Sequence, residues 1–213
     1  PYSVSMELAQ AIVRECAQSQ IPLSIHLGEH EEEREFLKHH SGPMANFLRE
    51  KGLPMPEKTW DSPVAWFTEA LQGESLPLWV VHGGNLTVLE CEELENLGGR
   101  LVWCPGTHRY FSRPKPNFAK ASLDAPFLGC DSMASNTTLS PLHEFRLACE
   151  EMPEYAPSAW WNALAPEKVL EGHAARFGRL ALPEGWTVPE TAEIFLRHIR
   201  KDRKIQALEP LAF

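Results

Sequence analysis

Four short apolar runs in this chain end in polar residues that suit metal-assisted hydrolysis. The runs and their polar residues are 21–27 with His26 and Glu29, 77–82 with His82, 100–105 with Cys104, and 125–131 with Asp131. Imidazole and carboxylate groups bind divalent metal ions and carry protons. Because parallel barrels keep their chemistry at the carboxyl ends of their strands, these residues predict a hydrolytic site at one rim of a parallel sheet.

The first pair, His26 and Glu29, needs a turn of the backbone to serve one site. Residues three apart on an extended strand face opposite sides, so the chain must turn after Leu27, and Gly28 permits it. A metal-bound histidine beside a carboxylate that does not bind the metal would activate water. The alternative is a strand-end histidine bonded to a neighbouring loop, with Glu29 opening an acidic helix.

Two further strand ends offer comparable groups. His82 precedes residues 83–84, two glycines that leave room for a ligand, although a partly buried structural histidine fits equally well. An unpaired Asp131 would be costly to bury, which favours a metal or a basic partner, while a helix cap is the alternative. Ser135 and Asn136 could cap the next helix or bind substrate.

The loop after the third run supplies the remaining candidates. His108 and Arg109 follow Cys104 closely and could contact a substrate. Cys104 lies within an apolar run, which favours a packed thiol over a nucleophile.

The elements that position these residues alternate between helix and strand. Ser5 is the predicted N-cap of a helix that ends near residue 19, because Leu8, Ile12 and Cys16 follow at four-residue spacing with Ala9 and Val13 beside them. Alternation of this kind implies parallel strands joined by right-handed crossovers.

Further local signals complete this pattern. Residues 62–63 (Ser-Pro) begin one helix, and the capping box at 87–90 begins another. A short helix is expected between Pro116 and the fourth strand. Residues 139–177 and 189–205 are predicted to be helical.

Four such strands are half of an eight-stranded barrel, which typically needs about 250 residues. The sequence therefore predicts an α/β fold, a partial (β/α)8 barrel whose missing half lies at the start, with additional C-terminal helices.

Composition limits the classes of function. The chain has 213 residues and a formal net charge of −9, which disfavours a nucleic-acid surface. No apolar run is long enough for a membrane span, and no secretory leader is visible at the first residues. Five cysteines without a CxxC pair indicate reduced thiols, so we expect a cytoplasmic protein.

Taken in order, these segments resemble the amidohydrolase superfamily, in particular its cytosine-deaminase-like and chlorohydrolase-like branch of metal-dependent hydrolases. The similar segments are 26–29, 81–82, 103–108, 128–136 and 162–178, with residues 1–5 similar to the loop after the family's fourth strand. The resemblance implies two parts: residues 1–180 as the C-terminal half of the barrel, and residues 181–213 as a C-terminal helical extension.

The resemblance also implies a reaction and roles for single residues. His26 and Asp131 would bind one divalent metal, zinc or iron, and Asp131 would also accept a proton from the attacking water. Glu29 would protonate a ring nitrogen of the substrate, and His82 would orient the water and the substrate. The implied reaction is hydrolytic deamination of a small molecule, an aminated heterocycle or a nucleoside-like compound.

The chain also departs from the family. The His-x-His pair of the family's first strand occurs nowhere in this sequence, and strands one to four have no counterpart. Two ligands are too few for a tight zinc site. We therefore expect the isolated chain to bind metal weakly, to turn nothing over, and to form a homo-oligomer or a complex with the missing half. The alternatives are a non-catalytic half-barrel interaction module, and an amidohydrolase that cleaves an amide or a carbon–halogen bond.

Overall fold

The computed structural model describes residues 1–121 and 123–164, which form one parallel sheet covered by helices. The strands are β1 (Leu23–Leu27), β2 (Leu78–His82), β3 (Gly99–Trp103) and β4 (Phe127–Leu128), in the order β1-β2-β3-β4. The helices are α1 (Met6–Ser19), α2 (Glu31–His39), α3 (Gly42–Glu50), α4 (Pro63–Leu71), α5 (Val88–Asn96), α6 (Pro105–Tyr110), α7 (Pro141–Glu151) and α8 (Pro157–Leu164). The helices predicted for 165–177 and 189–205, and the extension 181–213, lie outside the described residues.

All three strand pairings are parallel, so the predicted partial barrel is confirmed. In register, Leu23 pairs with Leu78 and Leu27 with His82, and β3 continues the same alignment. Alternate residues of a strand point to opposite faces, and paired residues share a face. The sheet therefore has two faces, and helices of this chain cover one of them more completely than the other.

The outer face carries the buried side chains of the strands, which pack with apolar residues of the helices into one core. Its members include Leu27, Leu78, Val80, Leu101 and Trp103, each no more than 8% exposed.

The inner face is open. Ser24, His26 and Arg100 are exposed there, and Trp79 and Val81 beside them are half-buried. A closed barrel would bury this face, because side chains from all of its strands fill the interior.

Helix α1 has the predicted N-cap and ends where the sequence predicts. Ser5 caps it by accepting a hydrogen bond from the amide of Leu8 at 3.3 Å. Ala9 and Val13 are buried, whereas Leu8 and Ile12 are 53% and 40% exposed. The helix packs against α4.

Two other helix starts are confirmed. Ser62 accepts a hydrogen bond from the amide of Ala65 at 2.9 Å at the start of α4. Thr87 and Glu90 form the predicted capping box of α5, with bonds of 3.2 and 2.7 Å. Within residues 1–121 and 123–164, every helix is too short or too polar to cross a lipid bilayer.

The segment between β3 and β4 differs from the prediction. The expected short helix after Pro116 is wrong, because residues 117–121 form a turn and helix α6 instead follows β3 directly. Pro105 favours that start, since proline at the first helical position gives up an amide that has no partner there. Strand β4 has only two residues and ends before Asp131, which lies in the loop.

Candidate functional site

The end of β1 turns as the sequence requires. Gly28 has φ +61°, and a Cβ atom there would collide with the side chain of Leu86. Glycine is therefore needed both for the backbone conformation and for the space that it leaves. The buried carboxylate of Glu33 accepts hydrogen bonds from the amides of Gly28 and Glu29, each 3.0 Å long. Burial raises the pKa of Glu33, and these two hydrogen bonds act in the opposite direction. Glu33 thus fixes the turn that directs Glu29 toward the rim.

The end of β2 places His82 between the other candidates. Its side chain is 5% exposed, and its Nε2 lies 3.6 Å from Oε1 of Glu29. The rings of His26 and His82 are 5.2 Å apart between centroids. Burial lowers the pKa of His82, and the charges of Glu29 and Asp131 act to raise it. Contacts therefore join His26, His82 and Glu29 at one rim, and the charge of Asp131 acts on His82 from the loop after β4.

Asp131 lies exposed in the loop after β4 and is oriented by hydrogen bonds. Its Oδ2 accepts from the hydroxyls of Thr107 at 2.9 Å and Ser135 at 3.3 Å, and its Oδ1 from the amide of Ser132 at 2.7 Å. Partial burial acts to raise the pKa of Asp131, but these bonds and the charge of His82 outweigh it and lower the pKa. Asp131 is thereby favoured in its charged form.

Backbone conformation singles out two of these residues. Six non-glycine residues of the described chain have positive φ, and four of them (Gln20, His40, Gln72 and Ser112) end helices. The other two are His82 at +75° and Asp131 at +55°. Non-glycine residues pay for this conformation, and such strain concentrates at functional sites. The outliers support the placement of the site at this rim.

Ser135 and Asn136 are built into the structure of the loop. The Ser135 hydroxyl lies 2.8 Å from that of Thr107, and the Asn136 side chain donates to the carbonyl of Cys130 at 2.8 Å and to Glu144 at 2.7 Å. A role of Ser135 and Asn136 in substrate binding stays a prediction.

Glu144 supports this loop and α6 from below. It is fully buried, and its Oε2 also accepts from the amide of Gly106 at 2.8 Å. Neither Glu144 nor Thr107 was predicted as a site residue, although Thr107 lies in the segment 103–108.

The loop after β3 divides its basic residues between two places. Arg109 forms ion pairs with Glu150 and Glu151 of α7 at 3.1 and 2.7 Å, and His108 is buried against the ring of Trp103. Burial lowers the pKa of His108. Substrate contacts by Arg109 and His108 stay predictions.

Arg113 is the basic residue that reaches the site, and the sequence analysis missed it. Its NH2 nitrogen donates to Oε1 of Glu29 at 2.7 Å, and its side chain is 8% exposed. Arg113 and Glu29 are 84 positions apart, so no local sequence pattern predicts their contact.

The metal-binding capacity of the site is incomplete in the described residues. Residues 1–121 and 123–164 contain no group of three or more His, Cys, Asp or Glu residues that could hold a metal ion. His26 and Asp131 would supply two ligands at most, whereas zinc sites in proteins use three or four protein groups. The described donor set therefore does not fit a complete zinc site.

Comparison with known proteins identifies the fold. No protein-family model matches the sequence, and no curated protein matches it. Aminofutalosine deaminase from Helicobacter pylori, solved with methylthio-coformycin, matches with a TM-score of 0.74 at 19% identity. The match covers 93% of this chain and 52% of the deaminase, so the chain spans about half of that protein's length.

Two other deaminases match less closely. An adenosine deaminase from Xanthomonas campestris with bound zinc has a TM-score of 0.54 at 20% identity, covering 75% of this chain and 34% of its own. A guanine deaminase from C. acetobutylicum with bound guanine has a TM-score of 0.54 at 15% identity, covering 91% and 39%. These likenesses show the fold alone: the chain is built as part of an α/β barrel.

Proposed function

We propose that this chain is the C-terminal half of a metal-dependent hydrolase of the amidohydrolase superfamily, which deaminates an aminated heterocycle or a nucleoside-like small molecule. The observation that carries the proposal is the contact of His82 with both Glu29 and His26 at the carboxyl ends of parallel strands, with the charge of Asp131 acting on His82 from the loop after β4. The three proteins of similar fold are all deaminases, which favours this chemistry over the cleavage of an amide or carbon–halogen bond.

The roles of this chain's own residues follow from their surroundings. Asp131, favoured as a carboxylate by three hydrogen-bond donors, would accept a proton from the attacking water. Glu29 would pass a proton to a ring nitrogen, and His82, with its lowered pKa, would orient the reactants as a neutral imidazole. His26 and Asp131 would contribute two of the ligands of a zinc or iron ion, whose chemistry would be to make the attacking water more acidic.

The site requires a second structural unit to be complete. Further metal ligands must come from outside the described residues, because these supply two at most. The open inner face indicates where that unit would dock, since a half barrel leaves its interior side chains uncovered. We propose that the complementary unit is a matching half barrel, on the same polypeptide or on another.

The test compares the 213-residue chain with the species that its own cells contain. Metal content and ammonia release would be measured for both, with aminated purines, pyrimidines and nucleosides as substrates. We expect well under one metal ion per purified chain and no release, and about one metal with release for the native species. Intact mass would show whether that species is longer or a complex. Full deamination by the purified chain alone would contradict the incomplete site.

Variants of the native species separate the proposed roles from general damage. Glu29→Gln and Asp131→Asn should each reduce ammonia release by about 100-fold or more, as for the loss of a proton-transfer group. Glu57→Gln and Asp61→Asn make the same chemical changes at exposed positions and should change nothing. Undiminished release by Glu29→Gln would disprove its role as a proton carrier.

A second candidate function is a non-catalytic half-barrel module that binds another protein. The observation that favours it is the exposed apolar flank of α1, where Leu8 and Ile12 lie uncovered. A native species that forms a stable complex but holds no metal and releases no ammonia would favour this function.

A further inference from the structure

Two adjacent aromatic side chains stand exposed at the end of α6. Tyr110 is 63% exposed and Phe111 is 51% exposed, and their rings meet edge-to-face with centroids 4.9 Å apart. Large exposed apolar groups that adjoin one another are less common on a protein surface than single ones, and they often mark binding sites.

The backbone holds this pair in a defined place. The amide of Ser112 donates to the carbonyl of Arg109 at 3.0 Å, and the amide of Arg113 to that of His108 at 3.1 Å. Ser112 has φ +51°, which completes the Schellman motif that commonly ends helices. We call residues 110–113 the aromatic hook.

The aromatic hook is fastened to the candidate site through Arg113. Its guanidinium lies 4.7 Å from the centre of the Phe111 ring and donates to Oε1 of Glu29 at 2.7 Å. These contacts keep the Phe111 ring within about 9 Å of that oxygen, taking bonded C–N distances of about 1.3 Å. A planar two-ring heterocycle hydrogen-bonded to Glu29 could span this distance.

Another exposed phenylalanine shows what distinguishes the hook. Phe47 of α3 is 55% exposed and has a cation above its ring, with Lys51 Nζ at 5.9 Å. Helix α3 packs on α2, and the cation above Phe47 comes from the residue that caps the same helix. Exposure and a neighbouring cation are therefore common to both phenylalanines, and the connection to Glu29 belongs to Phe111.

We propose that Tyr110 and Phe111 form a stacking wall for the planar ring of the substrate, beside the carboxylate of Glu29. The inference rests on the proposed function for its substrate class, an aminated heterocycle. Aromatic side chains stack on such rings with little dependence on their substituents. The wall would thus hold the ring plane and leave selection among heterocycles to polar groups.

The probe is 2-aminopurine, an aminated heterocycle whose fluorescence falls when it stacks on an aromatic ring. The full chain would be titrated with it, alongside Phe111→Ala, Phe111→Leu, Phe111→Trp and the matched control Phe47→Ala, all checked for folding by circular dichroism. We expect Phe111→Ala and Phe111→Leu to weaken binding about fivefold or more, the lower end of what base stacking contributes. Phe111→Trp should bind at least as tightly as the wild type, and Phe47→Ala within about twofold of it.

Three results would overturn the stacking wall: no quenching by the wild type, wild-type binding by Phe111→Leu, or an equal loss in Phe47→Ala. Failure of the proposed function is separate. Loss of quenching in Phe111→Ala without ammonia release by the native species would support the stacking wall and disprove the proposed reaction. Ammonia release by the native species with undiminished binding by Phe111→Leu would support the reaction and disprove the stacking wall.

Discussion

The two faces of the sheet differ in how completely this chain covers them. On the outer face, Leu27, Val80 and Trp103 are buried beneath helices. On the inner face, His26 is exposed and Trp79 is half-buried. The hydrophobic effect scales with the apolar area removed from water, so the outer face carries the stability of the chain. The inner face carries candidate chemistry at its rim but gains little from folding within the described residues.

The sharpest test of this difference replaces one tryptophan on each face. Trp103→Ala should lower the free energy of unfolding by about 3–5 kcal/mol, because it removes a fully buried ring from the core. Trp79→Ala should cost less than about 2 kcal/mol, because its ring is already partly in water. Urea unfolding followed by circular dichroism measures both. Equal losses would show that the inner face is covered in solution.

The next largest effect should come from the buried carboxylate beneath the rim. Glu144→Ala should lower the free energy of unfolding by about 3 kcal/mol, because it leaves the Gly106 amide without its acceptor and removes one of the two acceptors of the Asn136 side chain. Glu150→Ala on the same helix removes only partly exposed ion pairs and should cost less than about 1 kcal/mol. A small loss in Glu144→Ala would mean that the loop holding Asp131 is supported in another way.

The third effect concerns the dependence of stability on pH. Burial lowers the pKa of His108, so on acidification the unfolded chain binds a proton before the folded chain does. The contribution of His108 to the free energy of unfolding is complete above the ordinary histidine pKa of about 6.5. It is lost as the pH falls from there toward the lower pKa that His108 has in the folded chain. His108→Gln should flatten the slope of unfolding free energy below pH 6.5 by at most about 1.4 kcal/mol per pH unit.

His82 and His143, whose pKa values burial also lowers, should keep part of the slope in that variant. His39→Gln, at an exposed position, is the control and should leave the slope unchanged. Chemical denaturation at several pH values gives the measurement. An identical slope in His108→Gln and the wild type would contradict the burial argument.

The outer face was predictable from the sequence because it depends on local signals. Apolar runs located the strands, and Ser5, Ser62 and Thr87 located helix starts. The placement of His26 and His82 followed for the same reason, since each lies at the end of a strand.

What the sequence did not predict depends on contacts between distant segments. The Arg113–Glu29 ion pair joins two loops, and Glu144 reaches Gly106 across 38 positions. Such contacts have no periodic pattern, because the path of the loops determines them. The exposure of Leu8 and Ile12 on α1 is of the same kind, because their spacing predicts a helix but does not predict what covers that side of it.

The substitutions with the smallest expected effect on the free energy of unfolding should have the largest effect on the association of this chain with other copies. The double substitution Leu8→Lys and Ile12→Lys should alter the free energy of unfolding by about 0.5 kcal/mol or less, because both side chains are already exposed. If the flank of α1 docks a second unit, two charges placed there must be desolvated on binding, which is costly without partners. Sedimentation velocity at micromolar concentration should therefore show an assembly for the wild type and a monomer for the double variant. Phe47→Lys adds a charge at an exposed position of α3 and should leave the assembly intact. A wild-type chain that sediments as a monomer would exclude self-association through this flank, and the complementary half would then lie on the same polypeptide or on a different protein.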